Sequence, residues 1–233
     1  FCLHGFLGNS KDWDGFSFAS HQAPSLFGHQ IGHYPLKKWA NVFVRGFRED
    51  KPILVAYSLG GRLALHGLLA DPKKFRAAII ISTHLGLSGE AERQARIKQD
   101  ELWAERFLHD DWDLVLEDWN KRPVFGEKKH LLDRNESEYS RKSLAVALRS
   151  WSLGHQENLQ AQLHAIDIPV LCVAGARDER YVEQAELACQ ALPNASLAVI
   201  PDAYHRAPWE KPKVFQENLK EFYYERVANN QRV

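Results

Sequence analysis

Ala56-Tyr57-Ser58-Leu59-Gly60-Gly61-Arg62 is the stretch whose reading decides the fold. It follows Pro52-Ile53-Leu54-Val55-Ala56, an apolar run with the pattern of a buried strand, and it opens a run with Leu63, Ala64, Leu65, Leu68 and Leu69 at helical spacing. A serine between small residues at a strand-to-helix turn has the form of a nucleophile elbow, small-x-Ser-x-Gly, with Ala56 where glycine is commoner. The small residues have a physical purpose. The turn holds the serine strained with its hydroxyl exposed, and larger neighbours would clash there. The helix N-terminus that follows favours developing negative charge. The bland alternative is an ordinary strand–glycine–helix junction.

Three further runs resemble the one that feeds this turn: Ala77-Ala78-Ile79-Ile80-Ile81, Pro169-Val170-Leu171-Cys172-Val173-Ala174 and Ser196-Leu197-Ala198-Val199-Ile200. Phe1-Cys2-Leu3 has the pattern of the tail of another strand, and a weak strand is expected near His21–Leu26. Unbroken rather than alternating apolar runs predict strands covered on both faces, hence an α/β fold with a mostly parallel sheet flanked by helices. Between Thr83 and Ile168 the texture becomes polar, tryptophan-rich and helical; Trp112, Val115, Leu116 and Trp119 fall on one helical face. A connection that long inside a compact domain predicts an inserted helical cap, with 1–82 and 166–233 as the core and 83–165 as the cap. From Lys211, apolar Val214, Phe215, Leu219, Phe222 and Tyr223 alternate with charges, the pattern of a terminal amphipathic helix.

A serine needs a base, and the base an orienter. Asp178 stands just past the run ending at Ala174, and His205 just past the run ending at Ile200. Both positions are strand C-terminal ends, where open α/β sheets build their sites. Glu179 and Asp202 are rival acids whose turn positions favour solvation. Leu3-His4-Gly5-Phe6 follows the first strand pattern and has the form of a loop that donates a backbone N–H to an oxyanion; its partner donor is the amide of Leu59, next to the serine.

Composition narrows the partners. The 233 residues carry 30 Lys+Arg and 30 Asp+Glu. That balance argues against a protein that coats nucleic acid. Cys2, Cys172 and Cys189 are scattered, with no C-x-x-C, which suits neither a disulfide framework nor a zinc site but does suit a reducing, cytoplasmic setting. No apolar run reaches the roughly 18 residues of a membrane helix. His29 and His33 at i, i+4, with His21 near, are not joined by a carboxylate or cysteine at ligand spacing, so no metal is expected. Neither a Walker loop nor G-x-G-x-x-G occurs, and no cofactor is expected. The chain lacks methionine and starts at Phe1, which predicts an absent stretch of about two leading strands. A monomer or small homo-oligomer is expected.

The His-Gly loop, the elbow, the acid and the histidine, in this order, resemble the α/β-hydrolase superfamily over essentially the whole chain. Tyr57–Arg62, Gly86-Leu87 with Glu92-Arg93-Gln94-Ala95-Arg96, Asp118-Trp119 with Pro123-Val124-Phe125, and Leu148-Arg149-Ser150 narrow the likeness. They are similar to the MenH family, the 2-succinyl-6-hydroxy-2,4-cyclohexadiene-1-carboxylate synthases. The chain departs from the family pattern at Ser25–Gln30, where a Pro-Gly-His-Gly turn is usual, and at Tyr204, where glycine is common.

The resemblance implies a lyase that expels pyruvate from 2-succinyl-5-enolpyruvyl-6-hydroxy-3-cyclohexene-1-carboxylate, with Ser58 as base, His205 as its activator and Asp178 as orienter. It implies Phe6 and Leu59 as oxyanion donors and Tyr57, Arg62, Arg96, Trp119 and Arg149 as substrate-binding residues. Three carboxylates on one small substrate suit guanidinium forks. The alternatives are plain ones. Arg62 pairs with a surface carboxylate, Arg96 forms a ladder with Glu92 and Asp100 or yields its place to Arg93, Arg149 is a polar helix edge, and Trp119 is core. A carboxylesterase or thioesterase with Ser58 as nucleophile is the alternative activity, and a hydrolase-fold binding protein without activity a further one.

Overall fold

The computed structural model describes residues 1–16, 20–27, 34–47, 51–126 and 132–228. Five strands, β1 (Cys2–Leu3), β2 (Ile53–Tyr57), β3 (Ala77–Ile81), β4 (Val170–Gly175) and β5 (Ala195–Ile200), form one sheet in sequential order. Every neighbouring pair is parallel. Parallel neighbours need crossovers, and the chain supplies helices between them: α1 (Leu36–Arg45), α2 (Leu59–Ala70), α3 (Glu90–His109), α4 (Trp112–Asn120), α5 (Arg141–Ser150) and α6 (Glu179–Ala191), with a short α7 (Ala207–Glu210) and α8 (Pro212–Phe222) after the last strand. The expected α/β sheet flanked by helices is thus observed.

Alternation along the strands feeds two cores. Leu54, Ala56, Ala78, Ile80, Val170 and Cys172 point into the core beneath α1, α2 and α6. Val55, Tyr57, Ile79, Ile81, Leu171 and Val173 point into the core closed by Phe215 and Phe222 of α8. Coverage of both faces explains the unbroken apolar runs. β5 departs from that expectation: it is the sheet's edge, and Leu197 and Val199 are 41% and 39% exposed while Ala198 and Ile200 are buried. Tyr223, assigned to the apolar stripe of the terminal helix, also stands partly exposed, whereas Phe215 and Phe222 carry the stripe.

The weak strand expected near His21–Leu26 does not form. Cys2 N donates to Gln22 O at 2.8 Å, which lays the segment beside β1, but the Leu26 amide goes to the His4 side chain (2.9 Å) and Pro24 has no N–H to offer a ladder. Of the residues weighed for a metal, His29 and His33 lie outside the described residues, as do Gly28, His29 and Gln30 of the atypical turn. Among the described residues no group of three or more His, Cys, Asp or Glu is placed to hold a metal, and no helix is long and apolar enough to cross a membrane.

The stretch between β3 and β4 carries α3, α4 and α5, with α3 and α5 packed on each other. Its 123–125 turn reaches back to the core: His205 N donates to Val124 O at 3.2 Å. Trp112, Val115 and Trp119 are buried as the helical spacing predicts.

Candidate active site

The elbow is built from close backbone approach. Ser58 has φ +52°, a left-handed conformation that costs a non-glycine residue about 1 kcal/mol or more. Its amide donates to Ile81 O at 2.9 Å, which pins the turn to the end of β3. Glycine at 60 is obligatory because a Cβ there would lie 2.5 Å from His4 O and 2.6 Å from Leu3 O. The elbow helix therefore starts directly against the loop that follows β1.

The strand ends then converge. Ser58 Oγ lies 2.9 Å from His205 Nε2, and His205 Nδ1 lies 2.7 Å from Asp178 Oδ2. With Asp178 accepting from Nδ1–H, Nε2 is left as an acceptor for the serine proton. Burial lowers the pKa of His205 below the ordinary histidine value; Asp178 opposes that shift, and Arg122 and Arg206 reinforce it. The result is an imidazole held neutral, with Nε2 facing the serine hydroxyl. Asp202 turns away to pair with Arg177 at 2.9 Å on the surface, and Glu179 is exposed, so Asp178 alone of the three reaches the histidine.

His4 shapes the facing loop. Its Nδ1 donates to Gly5 O (2.8 Å) and its Nε2 accepts from Leu26 N. Fully buried, it is held neutral, with a pKa lowered to about 4 by desolvation. Among the described residues neither the Phe6 amide nor the Leu59 amide donates to a backbone acceptor. Both residues line the cavity above Ser58.

That cavity holds about 400 Å³ and is walled by the core below and by residues of the 83–165 stretch above. Six arginines line it (Arg62, Arg96, Arg122, Arg134, Arg180 and Arg206) against three aspartates, Asp12, Asp100 and Asp178. Arg62 is buried, with Nε on Gln156 Oε1 (2.6 Å) and Nη2 on the Trp151 carbonyl (2.8 Å). Desolvation, with Arg96 as the next cause, lowers its pKa to about 10, so it remains a cation at neutral pH. Arg96 forms the helix pair with Asp100 (Nε to Oδ1 and Oδ2, each 2.9 Å) and also faces the cavity; the ladder and the site coexist because only Nε is committed. Glu92, its other expected partner, instead meets Arg180 at 3.4 Å. Arg93 donates to Gly154 O and does not line the cavity.

Tyr57 and Trp119 both line the cavity. The Tyr57 ring packs edge-on against Trp209 (4.8 Å between centroids), and desolvation raises its phenol pKa well above the ordinary value. Trp119 is core as well as wall: it touches Phe6 and Phe107 and carries the Arg122 guanidinium over its face at 4.3 Å.

Arg149 must be corrected. It lies on the outer face of α5, bound to Glu101 at 2.7 and 2.8 Å and also to Glu105, with its side chain 35% exposed, and it is absent from the cavity wall. An arginine on a helix surface is recruited by the nearest acidic face, and α3 presents one. The arginines that do line the wall without having been singled out are Arg122, Arg134, Arg180 and Arg206. Arg122 and Arg206 adjoin Pro123-Val124-Phe125 and His205, so their neighbours carried the signal. Arg134 had none: it lies 122 residues from Asp12, with which it forms a buried bidentate pair at 2.7 and 2.9 Å.

A sequence profile described as the Alpha/beta hydrolase family matches residues 1–217. The chain belongs to the alpha/beta hydrolase family. Within this family, it is 30% identical to the 2-succinyl-6-hydroxy-2,4-cyclohexadiene-1-carboxylate synthase of Serratia proteamaculans, over 94% of this chain and 91% of that one. It is 32% identical to the synthase of the same name from an Enterobacter species, over 90% of this chain and 85% of that one. The solved structure of MenH from S. aureus superposes with a TM-score of 0.85 at 26% identity, covering 96% of this chain and 92% of that one. This alpha/beta hydrolase thus matches synthases of one name in sequence and MenH from S. aureus in architecture.

Proposed function

We propose that this alpha/beta hydrolase is a carbon–oxygen lyase of menaquinone biosynthesis, which eliminates pyruvate from 2-succinyl-5-enolpyruvyl-6-hydroxy-3-cyclohexene-1-carboxylate to leave 2-succinyl-6-hydroxy-2,4-cyclohexadiene-1-carboxylate. The observation that carries the reading is the concentration of arginines in a cavity whose floor is Ser58 and His205. A small substrate with three carboxylates gives such a wall a purpose, whereas an ester pocket is normally apolar.

Ser58 Oγ takes the ring proton while its own proton passes to His205 Nε2. Asp178 holds the imidazolium that forms. The electron pair of the broken C–H bond spreads onto the succinyl ketone, where the amides of Phe6 and Leu59 receive the oxyanion. The pair then returns to form the C2=C3 bond, the C3=C4 pair shifts to C4=C5, and the C5–O bond to the enolpyruvyl group breaks. The oxygen leaves as an enolate, takes the proton held by the His205–Ser58 pair, and the resulting enol tautomerises to pyruvate. The step forms no acyl-enzyme. Arg62 and Arg96 bind carboxylates, Tyr57 and Trp119 wall the ring, and residues 83–165 act as a cap that excludes water from the core of 1–82 and 166–233.

The test is pyruvate release from the enolpyruvyl substrate, followed beside a panel of nitrophenyl esters. Pyruvate at a catalytic rate supports the lyase; ester turnover with a trappable acyl group on Ser58 and no pyruvate overturns it.

A further inference from the structure

His84 presents a hydrogen-bonding conflict that the other two histidines of the site do not. At His4 and at His205 one ring nitrogen faces an acceptor and the other a donor, which a neutral imidazole satisfies. At His84 both ring nitrogens face donors. Gly86 N–H points at Nδ1 (3.0 Å) and Arg180 Nη2 lies 3.1 Å from Nε2. A neutral imidazole has one acceptor nitrogen only, so whichever tautomer forms, one of these contacts sets donor against donor.

Gly86 cannot yield. Its φ is +123°, a Cβ there would lie 2.2 Å from Glu157 O, and its loop is pinned by Leu85 N to Gln184 Oε1 (2.9 Å) and by Leu159 N to Leu85 O (2.8 Å). The His84 carbonyl is held by Gln156, the same side chain that holds Arg62. Nδ1 is therefore the acceptor, Nε2 carries the proton, and the conflict falls on Arg180, whose side chain stands 56% exposed on the first turn of α6, held there by a long, exposed contact to Glu92 at 3.4 Å. What resolves two converging donors is an anionic acceptor between them. Both residues line the cavity, and the Tyr181 ring touches both His84 (6.1 Å) and His205 (4.3 Å), so the position is one ring away from the reacting centre.

We propose that His84 Nε2–H and the Arg180 guanidinium form a two-donor clamp for one carboxylate of the substrate. The clamp rests on the lyase reading and adds to it two binding residues supplied by the ends of β3 and β4.

The test is steady-state kinetics of pyruvate release by the whole chain with His84→Leu, Arg180→Leu and the double variant. Each single substitution is expected to raise KM at least tenfold while kcat falls no more than threefold. The double variant should raise KM no more than about threefold beyond the worse single one, because two donors to one carboxylate do not contribute independently. His84→Gln, which keeps a far donor, and Arg180→Lys, which keeps the charge, should each recover part of the loss. Arg180 is half-exposed, so its variant reports even where His84→Leu unfolds. Wild-type KM in the Arg180→Leu enzyme, or fully multiplicative effects in the double variant, overturns the clamp while pyruvate release continues. Absence of pyruvate from the wild-type enzyme overturns the lyase reading itself, and the clamp with it.

Discussion

The floor and the roof of the cavity are built by different rules. On the floor, Ser58, Asp178 and His205 each follow a strand of one parallel sheet, so backbone register sets their separation and side chains only complete it. In the roof, Arg96 and Arg149 stand on helices α3 and α5, and helix packing decides which of them faces inward. Arg96 does, held by Asp100; Arg149 does not, captured by Glu101 and Glu105. A position fixed by the sheet is robust to neighbouring side chains, and a position fixed by helix-surface charges is not.

Four perturbations can break or sharpen that contrast, in falling order of effect. Removing the proposed base on the floor is the most severe: Ser58→Ala should lower kcat on the order of a thousandfold, within the range for a general base, with KM little changed in the pyruvate assay. An unaltered kcat would detach the elbow from the chemistry.

Next comes Asp178, the proposed orienter. Asp178→Asn removes the group that opposes the burial shift of His205, and a loss of about a hundredfold is expected. The sign for the wild-type pH profile follows from the same shift. In the proposed mechanism the active form is neutral His205, and its pKa is lowered, so kcat/KM should hold from neutral pH down through 6.5 and fall only below it. A half-point above 6.5 in the pH–rate profile would contradict the buried, neutral imidazole.

The floor also carries an acid liability. Buried His4, neutral with a pKa of about 4 in the folded chain, binds a proton on unfolding near the ordinary 6.5. Stability from this group is complete above 6.5 and is lost as pH falls toward 4, by about 2 kcal/mol at pH 5. Urea midpoints at pH 7 and pH 5 should differ in that direction, and a His4→Gln chain should show a smaller difference. Equal midpoints for wild type at the two pH values would refute it.

The arginines give the smallest effects and the sharpest comparison, Arg62 from the elbow helix of the floor and Arg96 and Arg149 from the roof. Arg62→Ala and Arg96→Ala should each lower kcat/KM by more than about tenfold, ~1.4 kcal/mol, whereas Arg149→Ala should stay within about twofold. A loss at Arg149 equal to that at Arg96 would mean that α5 turns when substrate binds.

The same division explains what is legible in the sequence alone. Strand runs, the elbow and the two strand-end residues are local patterns with a fixed spatial consequence, so the parallel sheet and the grouping of Ser58, Asp178 and His205 could be read from residues alone. The segment near His21–Leu26 misled because Pro24 and the His4 bond take its amides out of any ladder. Arg149 misled because Glu101 and Glu105 become its neighbours only when α3 packs on α5. Arg134 and Arg180 were silent for a related reason: their partners Asp12 and His84 are 122 and 96 residues away, and nothing local marks either arginine as inward-facing.

The most direct measurement is a single assay of the purified chain with 2-succinyl-5-enolpyruvyl-6-hydroxy-3-cyclohexene-1-carboxylate, reading pyruvate by coupled reduction while intact mass follows Ser58. The account predicts one pyruvate per substrate consumed and no mass added to the enzyme at any time. Accumulation of a covalent adduct on Ser58, or substrate left intact while simple esters are cleaved, would contradict it.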